Sequence, residues 1–150
     1  MVHEYTHNYN RENGVDIKLK WFDALFCDYF TYAYLKRYEK TNPVDLGLFE
    51  LVSKIMYIGG YGDVKHRSIE DFEKLYTRVG AANYCWYHGW FNVGVMSLFT
   101  IYGEDFLKQV IGLYQSDSGF DSSDEHLVSR LDLELVGFQD WFNEWIKQKP

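Results

Sequence analysis

The first residues of the chain place two histidines and a glutamate at a spacing that suits metal chemistry. His3, Glu4 and His7 form an HExxH pattern. On a helix, the two imidazoles lie one turn apart on the same face, and two such imidazoles can bind one Zn²⁺. Glu4 lies beside that face, where its carboxylate can take a proton from a water molecule that the metal has made more acidic. The pattern therefore predicts a hydrolytic zinc site, and the alternative is a polar, solvated first helix on which the histidines are incidental.

A catalytic zinc of this kind needs a third protein ligand, and the next apolar segment offers candidates. Residues 20–35 read KWFDALFCDYFTYAYL. Asp28 stands between Cys27 and Tyr29 in this segment, where an unpaired acid is rare because burying a charge is costly. We therefore predict Asp28 as the acidic partner of the metal, with Asp23 as the alternative if the helix is rotated. The structural alternative is an Asp28 that pairs with a Lys or Arg side chain.

The HExxH pattern and this segment together resemble the gluzincin metallopeptidases, the clan of thermolysin-like and aminopeptidase-like enzymes. In that clan, HExxH is followed by a helix of the form W-[LF]-x-E-x-[LF]-x-x-Y-[LF], whose Glu is the third zinc ligand. The ligand position falls here on Ala24, which cannot bind a metal. Asp28 falls one turn later, where the clan often has an acid that hydrogen-bonds a zinc-binding histidine. Four residues match the apolar positions of that form: Trp21, Phe22, Tyr29 and Phe30.

The resemblance implies a zinc-dependent peptidase that acts on a peptide bound in an aromatic-walled cleft. Glu4 would be the general base, and the Zn²⁺ ligands would be His3, His7 and Asp28. The alanine at position 24 leaves three explanations open. Asp28 reaches the zinc from one turn further along, Asp23 reaches it instead, or the site is degenerate and only the fold is retained. The clan usually has a sheet before the motif, so a motif at residue 3 predicts the helical part of a longer domain or a truncated relative.

A weaker resemblance continues downstream, where residues 67–76 and 83–88 look like the helical C-terminal half of gluzincin-like proteins. In that clan, a Tyr or His beyond the zinc helices stabilises the oxyanion of the tetrahedral intermediate. Tyr84, Tyr87 and His88 are candidates by residue type, because a phenol or imidazolium can donate to the developing charge. We predict Tyr84 and His88 as catalytic residues. The alternative for each is a core aromatic at helical spacing.

The periodicity of apolar residues predicts an all-α fold of six or seven helices. The resemblance implies that these helices are arranged as in the helical half of a gluzincin. We expect a single domain over residues 1–150, in which residues 1–40 are the zinc-motif helix pair and residues 41–150 form a helical bundle. The last helix is predicted to begin at a capping box of Ser122 and Glu125 and to carry one apolar stripe as far as Trp145. The other predicted helices cover residues 2–11, 19–38, 46–58, 68–79, 81–102 and 104–114.

The composition of the chain argues against some classes of binding partner and some environments. The net charge of −7 argues against a nucleic-acid binder, because no basic surface is available for phosphates. Residues 79–103 carry no formal charge, but their polar residues and glycines favour a buried helix over a membrane span. Cys27 and Cys85 are too few for a disulfide scaffold, and we expect both to be buried small hydrophobes. The absence of a targeting signal in the chain predicts a cytoplasmic protein.

A second function class fits the same composition. Aromatic residues make up 19% of the chain, and Tyr and Trp are enriched where proteins bind one another. With the acidic cluster over residues 121–125, they suit an acidic, aromatic-rich interaction protein, such as an inhibitor or immunity-type partner of a basic enzyme. This alternative predicts a tight protein partner and no metal. The two hypotheses are separated by whether His3, His7 and an acid converge within metal-binding distance.

Overall fold

The computed structural model describes residues 2–59, 62–117 and 119–148. These residues form eight α-helices, one 3₁₀ turn and no β-strand, so the all-α prediction is confirmed. The helices are α1 (Val2–Glu12), α2 (Lys20–Arg37), α3 (Pro43–Tyr57), α4 (Ile69–Leu75), α5 (Ala81–Tyr102), α6 (Asp105–Ser116), α7 (Asp124–Glu134) and α8 (Phe138–Trp145), and the 3₁₀ turn is Tyr76–Val79.

The uncharged segment forms α5, the central helix of the fold. Gly80 precedes this helix and Gly103 follows it, and their φ angles of 85° and 55° suit glycine. Helices α2 and α3 pack against it. A side-chain carbon at Gly89 would collide with the backbone of Met56 and Tyr57, so glycine is what lets α3 approach α5 closely. Among the described residues, no helix is long and apolar enough to cross a membrane.

Helix α2 is fixed at its amino end by a side chain from α4. The Glu73 carboxylate accepts hydrogen bonds from the backbone N–H groups of Lys20 at 2.8 Å and Trp21 at 3.3 Å. These N–H groups have no partner within the helix, so the carboxylate acts as a cap delivered from a distant part of the chain. Further along α2, Cys27 and Asp28 are buried, and Asp23 is partly exposed.

The carboxyl-terminal region differs from the prediction of one final helix. The chain leaves the helical path after α7, and Gly137 adopts a left-handed φ of 86° before α8 begins. Glycine tolerates this conformation, so the apolar stripe continues in space across two helices. The predicted cap was also displaced by one residue, because the Ser123 hydroxyl accepts the His126 N–H. This break accounts for eight helices instead of six or seven.

Much of the aromatic content is packed in the core beside the carboxyl-terminal half of α5. The rings of Trp90 and Trp145 stack with their centroids 4.6 Å apart. The indole of Trp145 also lies against Gly94, where a side-chain carbon would come within 2.6 Å of the indole nitrogen. Rings at these separations attract one another beyond simple burial. These aromatics are explained by packing of the core.

Candidate metal centre

Helix α1 packs on α2 and turns both of its histidines toward that helix. The Nδ1 atom of His3 lies 2.8 Å from Asp28 Oδ1, and the Nδ1 atom of His7 lies 3.0 Å from Asp23 Oδ2. The two acids that the sequence left as alternatives are therefore both used, each by a different histidine. The two imidazoles also meet, with their Nε2 atoms 3.1 Å apart.

A third histidine reaches the same place from α5. The Nδ1 atom of His88 lies 3.1 Å from Asp28 Oδ2, so imidazoles from two different helices engage both oxygens of one carboxylate. His3, Asp28 and His88 each offer a ligand atom within 4.8 Å of the others. The Nε2 atom of His88 is buried and has no hydrogen-bond partner among the described residues. A buried polar atom without a partner is costly, and it is an observation that a bound ligand would explain.

The buried carboxylate at the centre of this group carries its charge at neutral pH. Burial by itself would raise the pKa of Asp28, but the hydrogen bonds from His3 and His88 outweigh it and lower that pKa below its ordinary value. Asp28 is only 5% exposed. A negative charge held beside two imidazoles in a sheltered position is what a cation needs.

A second group of ligand atoms lies on the other side of His7. The Cys27 sulfur is 3.4 Å from His7 Nδ1 and 3.9 Å from Asp23 Oδ1. His7, Asp23 and Cys27 also offer one ligand atom each within 4.8 Å of the others. Burial, together with the negative charges of Asp23 and Asp28, raises the pKa of the Cys27 thiol. Cys27 is buried as predicted, but its contacts with a histidine and an acid were not foreseen, and Cys85 is only half-buried.

Of the predicted catalytic residues, His88 belongs to the first group itself, and Glu4 and Tyr84 lie on the two helices that carry its histidines. Glu4 is exposed on α1. The ring of Tyr84 lies 4.5 Å from the ring of His88. Burial raises the pKa of Tyr84 to about 12, helped by nearby Tyr76 and by the charge of Glu4. The phenol therefore remains a hydrogen-bond donor at neutral pH, as stabilisation of an oxyanion requires.

Two other residues considered from the sequence have structural roles. Tyr87 is fully buried, and its hydroxyl donates to the Ser68 carbonyl at 2.8 Å. Ala24 is 3% exposed and belongs to the hydrophobic core. The α2 position at which the resemblance would place a zinc-binding Glu therefore contributes to core packing, and the buried acid of this helix is Asp28, one turn later.

No protein-family model, curated protein or solved structure gives a significant match to this chain. The resemblance to the gluzincins therefore stays a prediction based on the HExxH pattern and the apolar frame of α2. The convergence of the side chains is independent of that resemblance, because it follows from how α1, α2 and α5 pack.

Proposed function

We propose that this protein is a zinc-dependent hydrolase whose metal is held by His3, Asp28 and His88. The observation that carries the proposal is the engagement of both Asp28 oxygens by imidazoles from two helices. Two histidines and a carboxylate are a common donor set of catalytic zinc sites, which keep one coordination position open for water or substrate. When bound, zinc would supply a Lewis acid that polarises a carbonyl group and acidifies water.

The ligand set differs from the one predicted from the sequence alone. His3 and Asp28 remain in it, and His88 takes the place that the HExxH pattern assigned to His7. The reason is geometric, since the Nδ1 atom of His7 faces Asp23 and Cys27. His7 still contacts His3 through its Nε2 atom, and in this proposal it supports the orientation of that ligand.

The neighbouring side chains supply the proton chemistry. Glu4, exposed at the start of α1, takes the proton of the attacking water and passes it to the leaving amine. Tyr84, whose ring packs against His88, donates its hydroxyl proton in a hydrogen bond to the oxyanion as it develops. Peptide bonds are the proposed substrate on the strength of the resemblance to the gluzincins.

Metal binding is tested on the full chain by metal analysis and by thermal unfolding with and without zinc. A ligand that binds only the folded state stabilises it, by about 2.7 kcal/mol at 100 times its Kd. We expect zinc to raise the Tm of the natural protein and to have a smaller effect on His88→Ala. His126→Ala is the matched control, because His126 is exposed on α7. Equal zinc responses in the natural protein and in His88→Ala would contradict the assigned ligand set.

Catalysis is tested separately with a zinc-loaded Glu4→Gln variant on a mixture of peptides. We expect this variant to keep its zinc and to lose peptidase activity by a factor of about 10² to 10⁴, as the loss of a general base predicts. Glu12→Gln is the control, since Glu12 is an exposed acid on the same helix. A zinc-loaded natural protein with no hydrolytic activity would leave a metal-binding protein without the enzyme function.

One observation favours an interaction protein as the second candidate function. Helix α3 and the residue after it expose an apolar stripe along one side, formed by Val44, Leu48, Leu51, Val52, Ile55 and Ile58. Such a stripe at helical spacing is typical of a helix that binds a protein surface. Here the contact would be apolar, and the acidic cluster contributes less than the sequence indicated because Asp121 is buried. Pull-down of a partner by the natural protein, lost in Leu51→Glu with zinc binding unchanged, would support this function.

A further inference from the structure

We propose that His7, Asp23 and Cys27 form a second site for a divalent metal ion, separate from the site of the proposed function. The three side chains come from α1 and α2, and their ligand atoms all lie within 4.8 Å of one another. The first set uses His3, Asp28 and His88 and has no residue in common with the second. Both sites can therefore be filled in the same molecule.

The second site has a route from solvent. A small cavity of about 60 Å³ opens beside it, lined by His7, Asn10, Val15, Asp16, Ile17 and Asp23. The side chains of His7 and Asp23 are 17% and 26% exposed, whereas Cys27 is buried behind them. An ion that enters this cavity meets the imidazole and the carboxylate first and the sulfur last.

The donor set determines which ions fit. A thiolate, an imidazole and a carboxylate suit Zn²⁺ and Co²⁺, and they do not suit Mg²⁺ or Ca²⁺, which prefer oxygen ligands. Binding requires the thiol to give up its proton, which passes to solvent as the sulfur–metal bond forms. No oxidant or reductant takes part. Three protein ligands leave one position of a tetrahedral ion open, and the contact between His3 and His7 places the two sites side by side.

The test uses Co²⁺ as the probe and absorption spectroscopy as the readout. A cobalt ion bound to a thiolate absorbs in the near ultraviolet through sulfur-to-metal charge transfer, whereas imidazole and carboxylate ligands do not give this band. We expect the natural protein to bind two equivalents of Co²⁺ and to show the band. Cys27→Ser should lose the band and one equivalent. Cys85→Ser is the matched control and should keep both, because Cys85 lies on α5 outside the cluster.

A second pair of variants separates this site from the first. Asp23→Asn, at a half-exposed position, should weaken the band without removing the fold, and it carries the test if Cys27→Ser does not fold. His88→Ala should lose one equivalent of Co²⁺ and keep the band. If the proposed function fails but this inference holds, the natural protein binds one equivalent and the band survives in His88→Ala. A natural protein without the band, or a band that persists in Cys27→Ser or disappears in His88→Ala, would overturn the second site.

Discussion

Among the residues that the structure describes, two carboxylates are almost fully buried, and the groups around them differ in kind. Asp28 is 5% exposed and Asp121 is 1% exposed. Asp121 accepts the backbone N–H of Lys18 at 2.6 Å and the hydroxyl of Tyr114 at 2.7 Å, both on its Oδ2 atom. Asp28 instead uses its two oxygens for two imidazoles.

The two carboxylates differ in what their hydrogen-bond partners can do besides donating a hydrogen bond. The partners of Asp121 are a backbone N–H and a phenol, which donate hydrogen bonds to it, so this carboxylate connects the loop before α2 to Tyr114 on α6. An imidazole can also bind a metal through a ring nitrogen. Burial of an acid is therefore weak evidence of function, and the chemical type of its partners is the stronger sign.

The largest expected effect comes from Asp28→Ala, measured as unfolding free energy in urea with saturating zinc. In the absence of metal, the change removes two charge-assisted hydrogen bonds, for which we expect a loss of about 1–3 kcal/mol. With zinc at 100 times the Kd of the natural protein, a further 2.7 kcal/mol or so should be lost, because the variant no longer binds the ion at this site. The zinc-dependent part of the loss is the informative quantity.

Removal of metal with a chelator is the control for the zinc-dependent part of the loss in unfolding free energy. With metal removed, the natural protein and Asp28→Ala should differ only by the hydrogen-bond contribution. If the difference between them is the same with zinc as with the chelator, Asp28 plays the same structural role as Asp121, and the contrast between the two acids fails.

Asp121→Ala should have the next largest effect, and it should be independent of zinc. The change leaves the Lys18 N–H and the Tyr114 hydroxyl without their acceptor, and a buried donor left unsatisfied costs about 1–3 kcal/mol. We expect the same loss of unfolding free energy with zinc and with chelator, and an unchanged metal content. A reduced metal content in a folded Asp121→Ala protein would show that the two regions are coupled, contrary to this expectation.

The sequence predicted the fold where local signals decide it. Helix α5 was predicted at its observed bounds, Ala81–Tyr102, from the uncharged segment that forms it. The structure places a glycine with a positive φ angle at each end of this helix. The prediction of one final helix was wrong. The apolar stripe continues past Gly137, and a continuous stripe does not reveal that a residue within it has a left-handed backbone conformation. Periodicity reports which side chains are buried, and it does not report whether one helix or two bury them.

The candidate site could be predicted only in part for a related reason. His3 and His7 are set by a local pattern, and Asp28 was marked by an acid within an apolar run. His88 stands 60 residues from Asp28 in the sequence, and its place beside that acid depends on how α5 packs on α2. Asp121 was assigned to an acidic cluster on the surface, because charged residues are usually exposed. One of its two hydrogen-bond partners, the backbone N–H of Lys18, is 103 residues away in the sequence.

The smallest expected effect is a pH dependence of the unfolding free energy that comes from Tyr114, the tyrosine that donates a hydrogen bond to Asp121. Burial, and after it the hydrogen bond to Asp121, raises the pKa of Tyr114 above its ordinary value. A raised folded-state pKa stabilises the protein fully below the unfolded-state pKa of about 10, and this stabilisation falls as the pH rises above that value, because only the unfolded chain then ionises. The unfolding free energy of the natural protein should therefore exceed that of Tyr114→Phe by about 1 kcal/mol near pH 8, and the excess should shrink toward pH 11 or so. Urea titrations of both proteins across this range measure the difference, and an excess that grows with pH would mean that Tyr114 is ionised in the folded state.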